Sequence, residues 1–278
     1  MNPYLPHLAT IQEIIPETAS QDVKTFRVVF TDPEIRRSFT YQPGQFAEVS
    51  LFGAGEAPIS ITSSPTQEGY LEFSVKRAGV VTTALHYRQV GDPVGIRGPY
   101  GNNFPYRDME GQNIVFIGGG IGLAPLRSLI TFVLDPANRS RYAGISIIYG
   151  ARSPGDLVFK WELERWGERD DVDLQVTVDR GDDEWTGRVG FVPQILLDLA
   201  PRPDNTVTVT CGPPIMIKFV LQNLEKLGFT PAQIVTTLEM RMKCGIGKCG
   251  RCNIGSSYVC QDGPVYTYEQ LRKMPAEY

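Results

Sequence analysis

Four cysteines near the carboxyl end of this 278-residue chain constrain its fold more than any other feature. Cys244, Cys249, Cys252 and Cys260 have the spacing C-x4-C-x2-C-x7-C. The first three positions match the C-x4-C-x2-C spacing of plant-type [2Fe–2S] sites, in which thiolates hold two irons. The glycines between these cysteines would let the backbone pass close to the sulfur atoms. The spacing therefore predicts a small lobe that wraps a [2Fe–2S] cluster and carries single electrons.

Two other uses of clustered cysteines stay open. A structural zinc site also takes four thiolates, usually from paired C-x2-C units, but Cys249 and Cys252 form the one such pair here. Disulfides are a second alternative, although nothing in the sequence indicates an oxidising compartment. The seven-residue last gap also departs from plant-type sites, where the fourth cysteine lies far downstream. The cluster type is therefore a prediction that rests on the first three spacings.

Length and composition limit the class of protein. The chain is long enough for two domains and a small third lobe. Its net charge of -4 argues against a nucleic-acid partner. No apolar run approaches the roughly 18 residues of a membrane-spanning helix, and segment 1–7 lacks the features of a signal peptide. A reducing compartment suits the thiolates and the fifth cysteine, Cys211, so we expect a cytoplasmic protein.

The first hundred residues predict an all-β domain. Short apolar or alternating segments are separated by proline, glycine and serine, which is typical of a barrel or sandwich. A single helix, Thr82–Gln89, is expected among them. The predicted strands are Leu8–Ile15, Val23–Phe30, Gln45–Leu51, Tyr70–Val75 and Pro93–Arg97.

After residue 107 the pattern changes to alternating strands and helices. This alternation indicates βαβ units and a mainly parallel sheet. Five strands are expected, beginning with Asn113–Ile117 and ending with Ile234–Leu238. We therefore predict three units: 1–107, 108–240 and 241–278, the last containing the cysteines.

A glycine-rich turn joins the first strand of the second unit to its first helix. Its residues Gly119, Gly120, Gly122 and Pro125 could let the backbone approach a pyrophosphate at the helix N-terminus. The Rossmann pattern G-x-G-x-x-G is not satisfied, because Pro125 occupies the third position. A tight βα turn without a ligand remains the alternative.

A second turn, Cys211-Gly212-Pro213, follows another predicted strand. Ligands of open α/β sheets bind outside the carboxyl ends of the strands, so this turn should lie on the same edge as the glycine turn. Taken alone, Cys211 could equally be a small buried hydrophobic residue.

The order of these motifs resembles the ferredoxin–NADP reductase superfamily. Within it, the chain is similar to the branch with the dihydroorotate dehydrogenase electron-transfer subunit, sulfhydrogenase gamma subunits and the corresponding subunit of anaerobic sulfite reductase. The resemblance implies a β-barrel plus α/β fold: a Greek-key flavin-binding barrel, a parallel-sheet nucleotide-binding domain and a small C-terminal [2Fe–2S] lobe. FAD, NAD(P)H and the cluster are the groups implied.

The family's flavin motif, Arg-Pro-x-Ser in this branch, aligns with a stretch that begins at Ala57. Pro58, Ile59 and Ser60 match, and the resemblance gives Ser60 a catalytic place at the reactive edge of the flavin. Ala57 replaces the arginine that would pair with the flavin pyrophosphate. Lys76 and Arg77 are candidates to supply that charge, by proximity in sequence only. An ordinary turn segment is the alternative.

The family's second flavin element is a glycine-led turn that opens a helix. Here it matches Gly79, Val81, Thr82 and Thr83, whose N–H and hydroxyl groups would hold the pyrophosphate. A plain N-cap threonine is the alternative reading.

The resemblance also assigns the nicotinamide nucleotide. It places the glycine turn with Pro125 at the pyrophosphate and Cys211, Gly212 and Pro213 beside the nicotinamide, with Cys211 as a catalytic residue. Arg152, after a central strand, could favour a 2′-phosphate and hence NADPH.

The predicted function is an electron-transfer flavoprotein subunit. It would exchange a hydride between NAD(P)H and FAD and pass electrons through the cluster to or from a partner of the hydrogenase, heterodisulfide reductase, sulfite reductase or dihydroorotate dehydrogenase type. A stand-alone NAD(P)H–ferredoxin or oxygenase reductase is one alternative. A non-catalytic nucleotide-sensing subunit with a zinc lobe is another.

Overall fold

A computed structural model describes residues 2–275. Its amino-terminal part is a six-stranded antiparallel sheet in the order β4-β3-β6-β1-β2-β5. The terminal strands of that order also contact each other, so the sheet curls into the expected barrel. The elements are β1 (His7–Pro16), β2 (Val23–Phe30), α1 (Pro33–Ser38), β3 (Phe46–Leu51), β4 (Gly55–Ser60), β5 (Leu71–Lys76), α2 (Val80–His86) and β6 (Pro93–Tyr100).

Alternation along the barrel strands separates an inner from an outer face. Ala47 and Val49 of β3 belong to the barrel core, with Phe26 and Ile96 from other strands. Glu48 lies between them in sequence and therefore faces outward, because successive strand side chains point to opposite faces. The outer face of β3 is nevertheless buried, since another part of the chain covers it.

The second part is a seven-stranded sheet in the order β10-β9-β8-β7-β11-β12-β15. All of its pairings are parallel except β12 with β15. The elements before β15 are β7 (Asn113–Gly119), α3 (Leu123–Leu134), β8 (Ile145–Ala151), α4 (Lys160–Gly167), β9 (Val172–Val178), β10 (Arg188–Val189), α5 (Val192–Leu199), β11 (Thr206–Cys211), α6 (Pro214–Lys226) and β12 (Ile234–Thr237).

Helices cover both faces of this sheet. Alternate residues of β7 enter different cores: Phe116 packs with α3 and α4, whereas Ile117 packs with α5 and α6. This explains the continuous apolar run of β7, since a strand covered on both faces has no solvent-facing side.

The cysteine-containing segment is built from short elements and spans both larger parts. Its core includes Phe46 of β3 and Tyr100 of β6 from the barrel. Its strand β15 pairs antiparallel with β12, which extends the nucleotide sheet by one strand. The elements are β13 (Asn253–Ile254), β14 (Ser257–Tyr258), α7 (Val259–Asp262), β15 (Val265–Thr267) and α8 (Tyr268–Arg272).

A buried ionic network joins the barrel to the α/β part. Arg127 of α3 donates to Glu72 of β5 at 2.6 Å and to Glu162 of α4 at 2.5 Å. Ser128 of α3 also donates to the carbonyl of Ser63 at 2.7 Å. Buried polar contacts therefore hold the barrel and the α/β part together.

Two expectations about the barrel helices differ from the structure: α1 is a second helix in addition to the one expected, and α2 has different bounds. The stretch from Ala57 to Ser60, for which an ordinary turn was the alternative, lies in strand β4, which pairs with β3. Helix α2 begins at Val80 rather than Thr82, because the Thr82 hydroxyl accepts the N–H of Gly79 and caps the first turn. No helix within residues 2–275 is long and apolar enough to cross a bilayer.

Candidate functional site

A cavity of about 940 Å³ opens at the carboxyl ends of the parallel strands. It lies where the chain order of the sheet reverses, between β7 and β11, which is where open α/β sheets bind ligands. Both predicted nucleotide turns border it, and Pro125 follows inside α3. The predicted residues that line the cavity are Lys76, Gly119, Gly120, Gly122, Arg152, Cys211, Gly212 and Pro213.

The two turns touch each other through backbone at Gly122. A Cβ at this position would lie 2.5 Å from the carbonyl oxygen of Cys211 and 2.6 Å from the Cα of Gly212. Neither atom belongs to a side chain that could move aside. Gly122 therefore lets the glycine turn and the C-G-P turn form one continuous surface at the start of α3.

Cys211 is buried, and its sulfur accepts a hydrogen bond from the Thr237 hydroxyl at 2.9 Å. Burial raises the pKa of the thiol to about 12, so Cys211 is neutral at physiological pH. A neutral thiol can pack against a nicotinamide ring without introducing charge. Glu239 lines this end of the cavity, and Thr237 contacts it only through the Cys211 sulfur.

Charged side chains border the opposite end of the cavity. Arg152 follows β8 and Asp179 follows β9, so the two lie at neighbouring strand ends. Burial raises the pKa of Asp179, and the charge of Arg152 opposes that effect. Lys76, which the sequence offered as a substitute for the missing arginine at Ala57, lies on this cavity, 3.8 Å from Asp22.

The predicted flavin residues lie outside the cavity, on β4 and at the start of α2. A Cβ on Gly55 would be 3.8 Å from Val81, so the helix N-terminus is beside the start of β4. Pro58 and Ser60 pair with Glu48 and Phe46 of β3. Ile59 packs against the barrel core.

The hydrogen bonds of α2 limit which of its N–H groups are available to a ligand. The N–H of Thr83 already donates to the carbonyl of Gly79 at 2.8 Å, as the first bond of the helix. The Thr82 hydroxyl is also engaged, because it accepts from Ala78 and Gly79. The first-turn N–H groups of Val81 and Thr82 are therefore better placed for a pyrophosphate than the N–H of Thr83.

The four clustered cysteines fall into two pairs of neighbours. Cys244 lies beside Cys249, and Cys252 lies beside Cys260. Backbone N–H groups point at the sulfur atoms: Lys248 and Cys249 donate to Cys244, and Gly247 donates to Cys260 at 3.1 Å. Two thiol pairs surrounded by N–H donors fit a cluster with two irons, because thiolate ligands need compensating donors.

These surroundings act differently on two of the thiols. Although burial opposes it, the N–H donors lower the pKa of Cys244 to about 7. Burial, followed by the neighbouring Cys252, raises the pKa of Cys260 to about 12. No disulfide bond joins any of the five cysteines. Within residues 2–275, no three histidine, cysteine or acidic side chains converge on one point as in a single-ion site.

The cysteine loop is fixed to the barrel by polar contacts that the sequence did not predict. The Asn102 side chain donates to the carbonyls of Asp262 and Val265 at 2.8 and 2.7 Å and accepts the N–H of Val265. A Cβ on Gly245 would lie 2.6 Å from the Tyr100 ring, so the loop backbone rests directly on that side chain. Single polar residues in strands and turns give no sequence signal for such docking.

Three described protein families match successive parts of the chain. "Oxidoreductase FAD-binding domain" matches residues 12–106, and "Oxidoreductase NAD-binding domain" matches residues 116–222. "Iron-sulfur cluster binding domain of dihydroorotate dehydrogenase B" matches residues 239–272. The expectation of FAD, a nicotinamide nucleotide and an iron–sulfur cluster, which the resemblance implied, is thereby confirmed.

Relatives align along nearly the whole chain. Sulfhydrogenase 1 subunit gamma of Pyrococcus furiosus is 42% identical over 99% of this chain and 94% of its own length. A probable dihydroorotate dehydrogenase B (NAD(+)) electron transfer subunit of Thermococcus kodakarensis is 34% identical over 95% of this chain and 97% of its own.

Solved structures show the same fold at lower identity. The structure of an NADH-dependent reduced ferredoxin-NADP oxidoreductase aligns with a TM-score of 0.73 and 24% identity, over 100% of this chain and 95% of its own. The FAD/NAD-binding domain of a Vibrio cholerae nitric oxide dioxygenase aligns with a TM-score of 0.72 and 22% identity, over 84% of this chain and 98% of its own. The solved structures show a ferredoxin–NADP reductase-like fold, and the two relatives show that the chain belongs to the family that includes sulfhydrogenase gamma subunits and dihydroorotate dehydrogenase B electron transfer subunits.

Proposed function

We propose that this chain exchanges a hydride between NAD(P)H and FAD and relays single electrons through Cys244, Cys249, Cys252 and Cys260 to or from a partner redox enzyme. One observation carries the proposal. The cysteine segment packs on β3 and β6 of the barrel, and β3 also pairs with β4, the strand of the flavin motif. The proposed flavin and cluster sites therefore share one rigid set of strands.

Nucleotide binding is assigned to the cavity at the sheet edge. Gly119, Gly120 and Gly122 bring the N-terminus of α3 to the pyrophosphate, where its unpaired N–H groups favour an anion. Cys211, Gly212 and Pro213 would lie beside the nicotinamide. The neutral Cys211 thiol, oriented by Thr237, excludes water there without adding a charge.

Flavin binding is assigned to the outer surface of the barrel. Pro58 and Ser60 would border the ring system, Ile59 would hold their strand against the barrel core, and the N-terminus of α2 from Gly79 to Thr83 would bind the pyrophosphate. Bound flavin supplies the conversion between two-electron and one-electron chemistry. The arginine missing at Ala57 makes the N–H groups of Val81 and Thr82 the main pyrophosphate contacts.

The partner is proposed from the relatives. A hydrogenase-type complex is the first candidate, because the sulfhydrogenase gamma subunit aligns at 42% identity with nearly complete coverage. A dihydroorotate dehydrogenase-type complex is the second. Heterodisulfide reductase and sulfite reductase partners rest on the motif resemblance alone. We place the protein in the cytoplasm, where the thiols stay reduced. The division into units 1–107, 108–240 and 241–278 is part of the same proposal.

Paired cysteine variants test the order of the groups. Cys252→Ser should abolish electron delivery to a one-electron acceptor and lower the iron content, while NAD(P)H still reduces the flavin. Cys211→Ser is the matched variant, since it changes the remaining cysteine. It should keep the iron and slow flavin reduction.

The same preparations separate the alternatives. Flavin and charge-transfer absorbance bands that NAD(P)H bleaches support the proposal, whereas a colourless protein with stoichiometric zinc would support a non-catalytic zinc lobe. If flavin reduction collapsed in folded Cys252→Ser, the proposed order of electron transfer would be wrong. Full activity with soluble acceptors and no co-purifying subunit would instead favour a stand-alone reductase.

A further inference from the structure

Glu48 is a buried carboxylate that neither the nucleotide site nor the flavin motif uses. Its side chain is 0% exposed, and neither carboxylate oxygen has a hydrogen-bond partner among the described residues. Buried carboxylates in proteins are nearly always paired or hydrogen-bonded, because desolvation of the charge is otherwise uncompensated. The surroundings of Glu48 therefore indicate what the buried carboxylate does.

The register of the barrel places Glu48 between the two proposed redox sites. It pairs with Pro58 of β4 on one side and with Arg97 of β6 on the other. Its outward direction takes it away from the barrel core and toward the cysteine segment. The charged groups that act on it are Arg97, Glu56, Cys244 and Lys243.

Arg97 compensates the Glu48 charge only in part, because its guanidinium makes hydrogen bonds to other groups. Nε and Nη2 donate to the two carboxylate oxygens of Glu56 at 2.9 and 2.7 Å. Nη1 donates to the carbonyl oxygen of Cys244 at 3.1 Å and to the Tyr100 hydroxyl at 2.9 Å. Arg97 is itself buried, so these guanidinium hydrogen bonds form a fixed link between the barrel and Cys244, the first cysteine of the loop.

We propose that Arg97 positions the cluster by fixing the Cys244 end of its loop on the barrel, and that Glu48 lowers the reduction potential of the cluster through a buried charge that no hydrogen bond stabilises. This inference rests on the proposed ligand set. Reduction of a bound cluster by one electron would make its net charge more negative by one. A buried carboxylate disfavours that change, because charges in a low-dielectric interior are weakly screened.

Glu48→Gln tests the charge without changing the shape. The midpoint potential of the cluster in the full chain, loaded with FAD and iron, is measured by redox titration with EPR detection. The titration is done at alkaline pH, where a carboxyl with a pKa of about 7 is ionised. The variant should shift the potential upward. The control is Glu13→Gln, a barrel carboxylate that pairs with Arg27 toward the other end of the sheet order, and it should leave the potential unchanged.

A potential in Glu48→Gln that equals the control, or lies below wild type, would overturn the charge-setting role. Arg97→Gln and Arg97→Lys test the positioning role in a second measurement. A lower potential in Arg97→Gln, or loss of iron from Arg97→Gln that Arg97→Lys restores, supports it. Wild-type iron content and potential in Arg97→Gln refute it. Flavin reduction by NAD(P)H is followed in wild type, and its absence there would count against the proposed function rather than against this inference.

Discussion

Arg127→Met should strongly destabilise the contact between the barrel and the α/β part. The Arg127 side chain is 4% exposed and lies between the carboxylates of Glu72 and Glu162, which are 1% and 6% exposed. Methionine keeps much of the length and the packing against Phe159, over which the guanidinium now lies. The substitution therefore removes the charge and leaves two buried carboxylates facing each other.

Removing one partner of a buried ion pair costs about 3–5 kcal/mol, because the remaining charge stays desolvated. Glu72 keeps Arg27, with an N–O distance of 2.8 Å, so most of the cost should come from Glu162. Burial already raises the pKa of Glu162 against the attraction of Arg127, and loss of Arg127 should raise it further. A carboxyl whose folded-state pKa is raised loses stability as pH rises through that value, so the deficit should be largest at alkaline pH and shrink in acid.

Denaturant unfolding of the full chain at several pH values measures this effect. Arg127→Met/Glu162→Gln should recover most of the loss, because the second change removes the stranded charge. Arg272→Met, at the exposed pair with Glu225, is the control and should cost less than about 1 kcal/mol. A loss below about 1 kcal/mol in Arg127→Met, or a deficit that does not change with pH, would refute the reasoning.

Three further outcomes follow from the site. Gly122→Ala should reduce kcat/KM for NAD(P)H by about 100-fold while flavin stays bound. The added Cβ displaces the Cys211–Gly212 backbone, and a small misplacement of the bound nucleotide is costly for catalysis. Unchanged steady-state kinetics would contradict this. Asp179→Asn should raise the ratio of kcat/KM for NADPH to that for NADH by about tenfold, and Arg152→Ala should lower it. The reason is that a carboxylate repels a 2′-phosphate and an arginine attracts it. Ratios that stay at the wild-type value in both variants would show that these residues do not determine coenzyme preference. Burial raises the pKa of Glu48 from 4.5 to about 7, so wild type should lose stability as pH rises from about 4.5 to about 7. Above that range, Glu48→Gln should be more stable than wild type by about 3 kcal/mol, at about 1.4 kcal/mol for each pH unit between the two pKa values. Unfolding measured against pH checks both, and parallel pH profiles would show that Glu48 does not carry this charge.

Sequence patterns predicted the features that depend on local order. Strand and helix alternation located the parallel sheet, and the glycine turn and Cys211 were correctly expected at one sheet edge. Both follow from chain periodicity and from the rule that parallel strands end together. The cysteine spacing likewise indicated the lobe.

Features that depend on contacts between distant segments were not predictable in the same way. Arg97 and Cys244 are 147 residues apart and meet only after the lobe docks on the barrel. Lys76 is near Ala57 in sequence order, yet the fold turns it toward the nucleotide cavity. Asp179 gave no motif, because a single acidic residue after a strand is common.

The antiparallel strand β15 has a consequence for any attempt to dissect the chain. Its residues follow the last cysteine, Cys260, and pair with the edge of β12. The sheet therefore gains its last strand from a segment that comes after the cysteine loop. A truncation near residue 240 would leave β12 with unpaired N–H and C=O groups, a surface that invites pairing with other chains. The cysteine-containing lobe therefore also covers the edge of the nucleotide-binding sheet. A truncated protein without the lobe should aggregate instead of remaining folded as a flavin reductase.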